Sequence, residues 1–377
     1  MISTRFLGSV ALALVVSGCS LLQPPPEHSS GPAEPIWPEV LDAPITAHSW
    51  DRTDKSRTVF GQTQVIRSRD SDTFSDIART YGLGYDELKY ANPQVDPWLP
   101  GVDTEIVLPT RFVLPEASHE GIVLNIAAKR LYVFSEASDQ HPVNVTTYPI
   151  GIGRVGWATP TGEATVIAKA KDPAWYVPAS VRKEHREAGD PLPAVVPPGP
   201  DNPLGRHVLK LDMPGYLLHG TNQPYGVGMR VSHGCVRLYP EDIETLYSDT
   251  PRGTPVTIVN QPVVVGWFDN QLWMTAYPLL EDDDRTEAEL LAETLAYLAD
   301  RHGIALDESG AEAISEVISA SSGIPVRLQQ SEWLVDTAVP VENVAAPPAD
   351  APSREEVAEL LDALMQESDE GADSGAP

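Results

Sequence analysis

The chain has 377 residues, with 26 Lys plus Arg against 54 Asp plus Glu and a formal net charge of −28. So acidic a chain is repelled by phosphate backbones, which disfavours a nucleic-acid partner, and its length suits about two to three domains. Thirty-six prolines predict long extended connectors beside the folded parts, and no apolar run reaches the roughly 20 residues that span a bilayer.

From the amino terminus, Arg5 precedes the apolar run Phe6–Val16, which has the length of a signal-peptide core. The run ends in Val16-Ser17-Gly18-Cys19, which resembles the lipobox of bacterial lipoproteins. That resemblance implies removal of residues 1–18, lipid on the Cys19 sulfur, and, with Ser20 next, an outer-membrane address in the periplasm of a Gram-negative bacterium. Two acyl chains already anchor a protein stably. The competing reading is an ordinary secretory signal. Cys235 is the other cysteine, so lipidation of Cys19 leaves no intramolecular disulfide.

Residues 19–60 hold Pro24, Pro25, Pro26, Pro32, Pro35, Pro38 and Pro44 without a hydrophobic period, and read as an extended tether. Residues 61–110 read as strand, helix, helix, strand: Gln64–Arg69, a helix capped by Asp72 or Thr73 with Phe74, Ile77, Ala78 and Tyr81 on one face, Tyr85–Ala91, and Glu105–Leu108. This order, with Thr73–Ala78 and Ala91-Asn92-Pro93, is similar to a LysM domain. The resemblance implies a shallow groove for N-acetylated glycan strands of peptidoglycan.

Short strands follow from Gly121: Ile122–Ile126, Leu131–Phe134, Val143–Ile150, Glu163–Ala170, His207–Leu211, Tyr216–His219 and Pro255–Val259. The fold class expected is mainly β, a sandwich-like catalytic domain over 119–262. Val177–Gly205, with six prolines from Pro191 to Pro203, reads as a loop without regular elements, either a lid or a surface excursion. Residues 263–377 read as a helical, acidic extension. Thr286 and Glu289 make a capping box ahead of Leu291, Leu295 and Leu298, and Val357, Leu360, Leu361 and Leu364 mark a second helix after the linker Ala345–Pro352. Residues 341–377 carry ten acids and one base, whereas 120–262 carry fourteen acids and thirteen bases, so the acidity says little about the catalytic part.

One constellation carries chemistry: His219-Gly220-Thr221-Asn222 and Ser232-His233-Gly234-Cys235-Val236-Arg237. A thiol near pKa ~8.5 is mostly protonated at neutral pH, and a neighbouring imidazole can take its proton. Gly234 leaves the approach to the sulfur open, and backbone N–H groups around Gly234-Cys235 are placed to stabilise an oxyanion. Spacing alone leaves either His219 or His233 as the base. His219 and His233 lack carboxylates at the helical spacing that would complete a zinc site, and no glycine-rich phosphate loop is present.

His219, twelve residues, then Ser232-His233-Gly234-Cys235 resembles the signature of the YkuD-type L,D-transpeptidases. Ala158-Thr159-Pro160-Thr161-Gly162 and Gly199–Gly205 extend the likeness. Together with the lipobox and LysM-like unit, it is similar to the ErfK/YbiS/YcfS/YnhG-like branch, which includes enzymes that attach Braun lipoprotein to peptidoglycan. The resemblance implies Cys235 as nucleophile, His219 as base oriented by the Gly220 carbonyl, His233 and Gly234 as parts of the catalytic loop, and Arg237, Ser232, Asn222 and Thr221 at the substrate. It implies stem peptides as donors, a second stem or a lipoprotein Lys as acceptor, membrane attachment through lipid only, and no cofactor or metal. Water as acceptor gives an L,D-carboxypeptidase. A cell-wall tether without chemistry is the competing binding role, and the reactive thiol argues against it.

Overall fold

A computed structural model describes residues 47–135, 143–329 and 332–345, with Glu359 beyond them. The amino-terminal segment with Cys19, the tether as far as residue 46, the second carboxy-terminal helix and most of the acidic tail lie outside the described residues.

Alternation of apolar residues builds a nine-stranded sheet. Its order in space is Ser49–Asp51, Asn144–Pro149, Arg130–Phe134, Gly121–Asn125, Pro255–Val259, Gly162–Lys171, His207–Leu211, Leu217–His219 and Val236–Arg237. Neighbours are antiparallel except at two places, Gly121–Asn125 beside Pro255–Val259 and Leu217–His219 beside Val236–Arg237. Ile122 and Leu124 point into one core with Leu131, Val166, Leu209, Leu218 and Val236. Val123, Tyr132, Phe134 and Val145 point into a second core on the opposite face. A strand with both faces covered reads as a continuous apolar run, as Ile122–Leu124 does. The expected strands of this region are present within two residues of their predicted ends.

The β-α-α-β order of residues 64–108 is also present, with Thr73 as the first helix's N-cap, its Oγ1 accepting from Asp76 N at 3.2 Å. The unit packs directly on the central sheet. Phe74, Ile77, Tyr81 and Leu88 share a core with Val123, Tyr132 and Val145. Arg130, fully buried, donates to both oxygens of Glu87 at 2.7 Å, and Lys129 pairs with Asp86 at 3.0 Å. Burying these charges is tolerable only because each meets its partner with good geometry. Ser49–Asp51, expected to be tether, instead pairs with Asn144–Pro149, and Val59–Gly61 pairs with Arg111–Val113. His48, Trp50, Phe60 and Phe112 pack there as an aromatic group, a contact across distant segments that no local period announces.

Two further expectations differ from the structure. Residues 263–345 are not only helical: Val263–Phe268, Gln271–Ala276, Val326–Gln329 and Glu332–Val335 form an antiparallel sheet, packed against the helices Glu287–His302 and Glu308–Ala320. Its first turn is Asp269-Asn270 with φ of 52° and 56°, the conformation a tight hairpin turn needs between two β-rich runs. The predicted capping box of Thr286 with Glu289 does start the first helix. Within 177–205, read as a loop, Ala179–Glu187 is helical and Val195–Val196 pairs with Trp175–Tyr176. Only Val181 of that helix is buried, so it has no apolar stripe for a periodicity argument to find.

Candidate active site

The parallel pairing of Leu218 with Val236 and His219 with Arg237 sets the geometry. Leu218 and Val236 face the core, so His219 and Arg237, which follow them, lie on the other face of adjacent strands about 4.8 Å apart, with Cys235 immediately ahead of the second strand. Leu217 falls beside Cys235. The sheet register therefore brings together residues eighteen positions apart in the chain.

His219 is buried, and its Nδ1 lies 2.5 Å from Gly220 O. A carbonyl can only accept, so Nδ1 carries the proton and Nε2 keeps the lone pair. Burial, and then the charge of Arg237, push its pKa down to about 3, which leaves the ring neutral at physiological pH. Cys235 is half-buried and its thiol reaches Gly215 O at 3.5 Å. Burial raises its pKa, while the Leu217 N–H and the Arg237 charge pull the other way. The resting pair is thus a neutral thiol and a neutral imidazole.

The loop ahead of the sulfur is tightly built. Gly234 has φ +96°, a region that favours glycine, and a Cβ there would meet the Tyr216 ring at 3.2 Å. Thr159 Oγ1 donates to Gly234 O at 3.0 Å and accepts from Gly153 N at 2.9 Å. Buried Ser232 donates to Cys235 O at 2.5 Å, so its hydroxyl shapes the loop from below. Thr221 is buried with its hydroxyl accepting from Gln223 N at 2.9 Å, whereas Asn222 is exposed. Asn202 Nδ2 donates to Pro173 O at 2.9 Å and to Pro197 O at 3.1 Å, which ties down the proline-rich segment.

His233 faces elsewhere. Its Nε2 accepts from Arg154 Nη2 at 3.0 Å and lies 3.2 Å from Glu184, and its ring stands edge-on to Trp157 at 5.0 Å. Burial and the Arg154 charge push its pKa down to about 4, against the pull of Glu184. The lone pair that would take a proton is engaged by a guanidinium.

Sequence reasoning missed Arg154, Trp157, Glu184 and Tyr216. Arg154 and Trp157 stand just before the quoted Ala158–Gly162, a signal that was available; Glu184 had none. Among the described residues, no group of three or more His, Cys, Asp or Glu side chains could hold a metal ion.

Residues 119–258 match the L,D-transpeptidase catalytic domain (YkuD). The protein named "Probable L,D-transpeptidase YcfS" from Escherichia coli is 38% identical over 302 residues, 78% of this chain and 92% of that protein. "Probable L,D-transpeptidase ErfK/SrfK" from Salmonella typhimurium is 34% identical over 269 residues, 71% of this chain and 85% of its own. The solved catalytic domain of the E. faecium L,D-transpeptidase covers 38% of this chain and 98% of its own, at 21% identity and a TM-score of 0.28. The chain belongs to the L,D-transpeptidase family and is an enzyme of that family.

Proposed function

We propose that this protein is a peptidoglycan L,D-transpeptidase with Cys235 as nucleophile and His219 as general base. The Cys235 sulfur attacks the carbonyl between diaminopimelate, the third residue of a tetrapeptide stem, and the terminal D-alanine, while the thiol proton passes to His219 Nε2. Backbone N–H groups at Gly234-Cys235 stabilise the oxyanion. The carbon–nitrogen bond then breaks, the proton goes to the departing D-alanine amine, and a thioester remains. An acceptor amine attacks that thioester and gives up a proton to His219 Nε2, which passes it to the departing Cys235 sulfur as the new amide forms. A second stem's diaminopimelate gives a 3-3 cross-link, and the Lys of a Braun-type lipoprotein gives a wall-anchored protein.

The observation that carries this reading is the tautomer of His219. With Nδ1 held by Gly220 O at 2.5 Å, Nε2 keeps a free lone pair in a strand paired with Val236–Arg237, the strand that Cys235 leads into, whereas the Nε2 of His233 accepts from Arg154. Thr221, Asn222, Ser232 and Arg237 surround the site, Arg237 as an anchor for substrate carboxylate. The LysM-like unit holds glycan strands, and Cys19 carries the lipid that keeps the enzyme in the periplasm, at the outer membrane. Intact-mass analysis tests the nucleophile: a carbapenem adds once to the wild-type chain and not to Cys235→Ser, and D-alanine is released from a tetrapeptide by the wild type alone. An unchanged wild-type mass together with no D-alanine release sinks the reading.

A further inference from the structure

We infer that Arg154 is an anchor for a carboxylate of the peptide substrate, and that Glu184 occupies this anchor in the resting protein as an internal stand-in. The inference rests on the peptide-substrate reading above and adds a second carboxylate site to Arg237.

Arg154 belongs to the rigid floor of the site. Its backbone N–H donates to Ser232 O at 3.0 Å, its carbonyl accepts from Trp157 N at 2.9 Å, and its side chain is only 3% exposed. Its neighbour Gly153 comes so close to Gly234 that an added Cβ would stand 3.0 Å from the Gly234 Cα. The guanidinium therefore lies beside the loop that presents Cys235, against His233 at 3.0 Å. A guanidinium this deeply buried requires an anionic partner, since an uncompensated charge there is costly.

The partner it has comes from outside the floor. Glu184 ion-pairs with Arg154 and lies 3.2 Å from His233, yet its side chain is 36% exposed. It sits on the helix Ala179–Glu187, of which Val181 is the one buried residue. Little apolar burial holds that helix down, so the ion pair with Arg154 is a large part of its attachment. A planar guanidinium matches any carboxylate with two parallel hydrogen bonds. An incoming peptide carboxylate that replaces Glu184 leaves the charge balance of the floor unchanged and returns Glu184 to water. The exchange opens the cover only when a carboxylate-bearing ligand is present.

The test uses the full-length chain carrying Cys235→Ala, so that binding is read without turnover. Three stem tetrapeptides are titrated by calorimetry: one with all carboxylates free, one amidated at the terminal D-alanine, and one amidated at the diaminopimelate side-chain carboxylate. One amidation is expected to weaken binding by about tenfold, the size of a lost charge-assisted hydrogen bond, and it identifies the carboxylate used. Arg154→Gln is expected to erase that difference and Arg154→Lys to keep part of it. Glu184→Gln removes the competitor, and is expected to tighten the free-acid peptide by about threefold to tenfold while leaving the discriminating amide unchanged. Unchanged binding of the free-acid peptide by folded Glu184→Gln, or a full acid preference in folded Arg154→Gln, overturns the inference. Should Arg154→Gln fail to melt cooperatively, Glu184→Gln and Arg154→Lys decide it. These binding shifts in a protein whose wild type releases no D-alanine refute the reaction and uphold the anchor; D-alanine release without the shifts does the reverse.

Discussion

Two regions flank Cys235 and are held in opposite ways. The strand Arg230–Ser232, which runs into the Cys235 loop, is braced from three directions. It pairs with Ile152–Gly153, its Val231 and the adjoining Met229 share a core with Phe74 and Tyr81 of the β-α-α-β unit, and Arg230 ion-pairs with Glu281 and Asp282 of the carboxy-terminal part while donating to Gly153 O at 3.0 Å. Gly84 and Gly228 touch backbone to backbone nearby, with Tyr85 N donating to Val227 O at 3.2 Å. The helix Ala179–Glu187 on the other side keeps one buried residue and an ion pair. Catalytic geometry tolerates little displacement, whereas a large peptide needs room to enter. The β-α-α-β unit and the carboxy-terminal part therefore serve as buttresses of the Cys235 loop.

The largest effect expected separates the two histidines. His219→Asn should slow carbapenem acylation by roughly 10²–10⁴-fold with the fold intact, as removal of a general base does. His233→Asn, whose ring belongs to the Arg154–Glu184 contact, should lose much less. Stopped-flow acylation over a pH series, with thermal melts, checks this; equal losses would erase the division between base and cover. Because His219 is held neutral down to about pH 3, the wild-type rate should rise with thiol ionisation rather than with an imidazole titration near 6.5.

The next largest effect tests the bracing. Glu87→Gln leaves Arg130 buried without its counter-charge and should cost about 3–5 kcal/mol in urea unfolding. Acylation should fall in the same variant as the β-α-α-β unit loosens from the sheet. A near-native midpoint would mean that the two parts are stable independently of this contact.

Acid should loosen the braced region too. His48 and His219 are pushed down to about 3 and His233 to about 4, with burial the first cause in each. Unfolded histidine titrates near ~6.5, so the unfolded chain takes up protons that the folded chain refuses. The stability these groups contribute is complete above about pH 6.5 and is lost as the pH falls from there toward 4. Asp242 acts in the opposite sense: burial, then Glu241, raise it to about 7, so its contribution grows over the same window. These three histidines set against that carboxyl contribute a loss of up to about 2–3 kcal/mol per pH unit, and His119, His207 and His302, lowered in the same direction by burial, add to it. His48→Gln should reduce that slope by up to about 1.4 kcal/mol per pH unit, measured as urea midpoints between pH 6.5 and 5.

The smallest effect belongs to the cover. Lys183 and Glu187, 3.8 Å apart and exposed, make a pair that should be worth less than about 0.5 kcal/mol. Lys183→Ala should leave both the melting temperature and acylation unchanged; a large change would show that the helix is anchored more firmly than its burial implies.

Strands and caps were legible in the sequence because their causes are local. Ile122–Leu124 is a continuous apolar run that fills both faces of a sheet, Thr73 and Thr286 hold a backbone N–H three residues on, and Cys235 with His219 stands out by residue type and spacing. The hairpin at Asp269-Asn270 was equally local and was overlooked among helix signals. The pairing of Arg154 with Glu184, the burial of Arg130 against Glu87, and the joining of Ser49–Asp51 to the central sheet had no such trace. Each depends on two side chains or strands brought together from segments 30 to about 95 residues apart. A periodicity reports which face of an element is apolar but not which surface will cover it. The difference between His219 and His233 arises in the same way: both are imidazoles near a thiol in the chain, and only the folded chain gives one a carbonyl at Nδ1 and the other a guanidinium at Nε2.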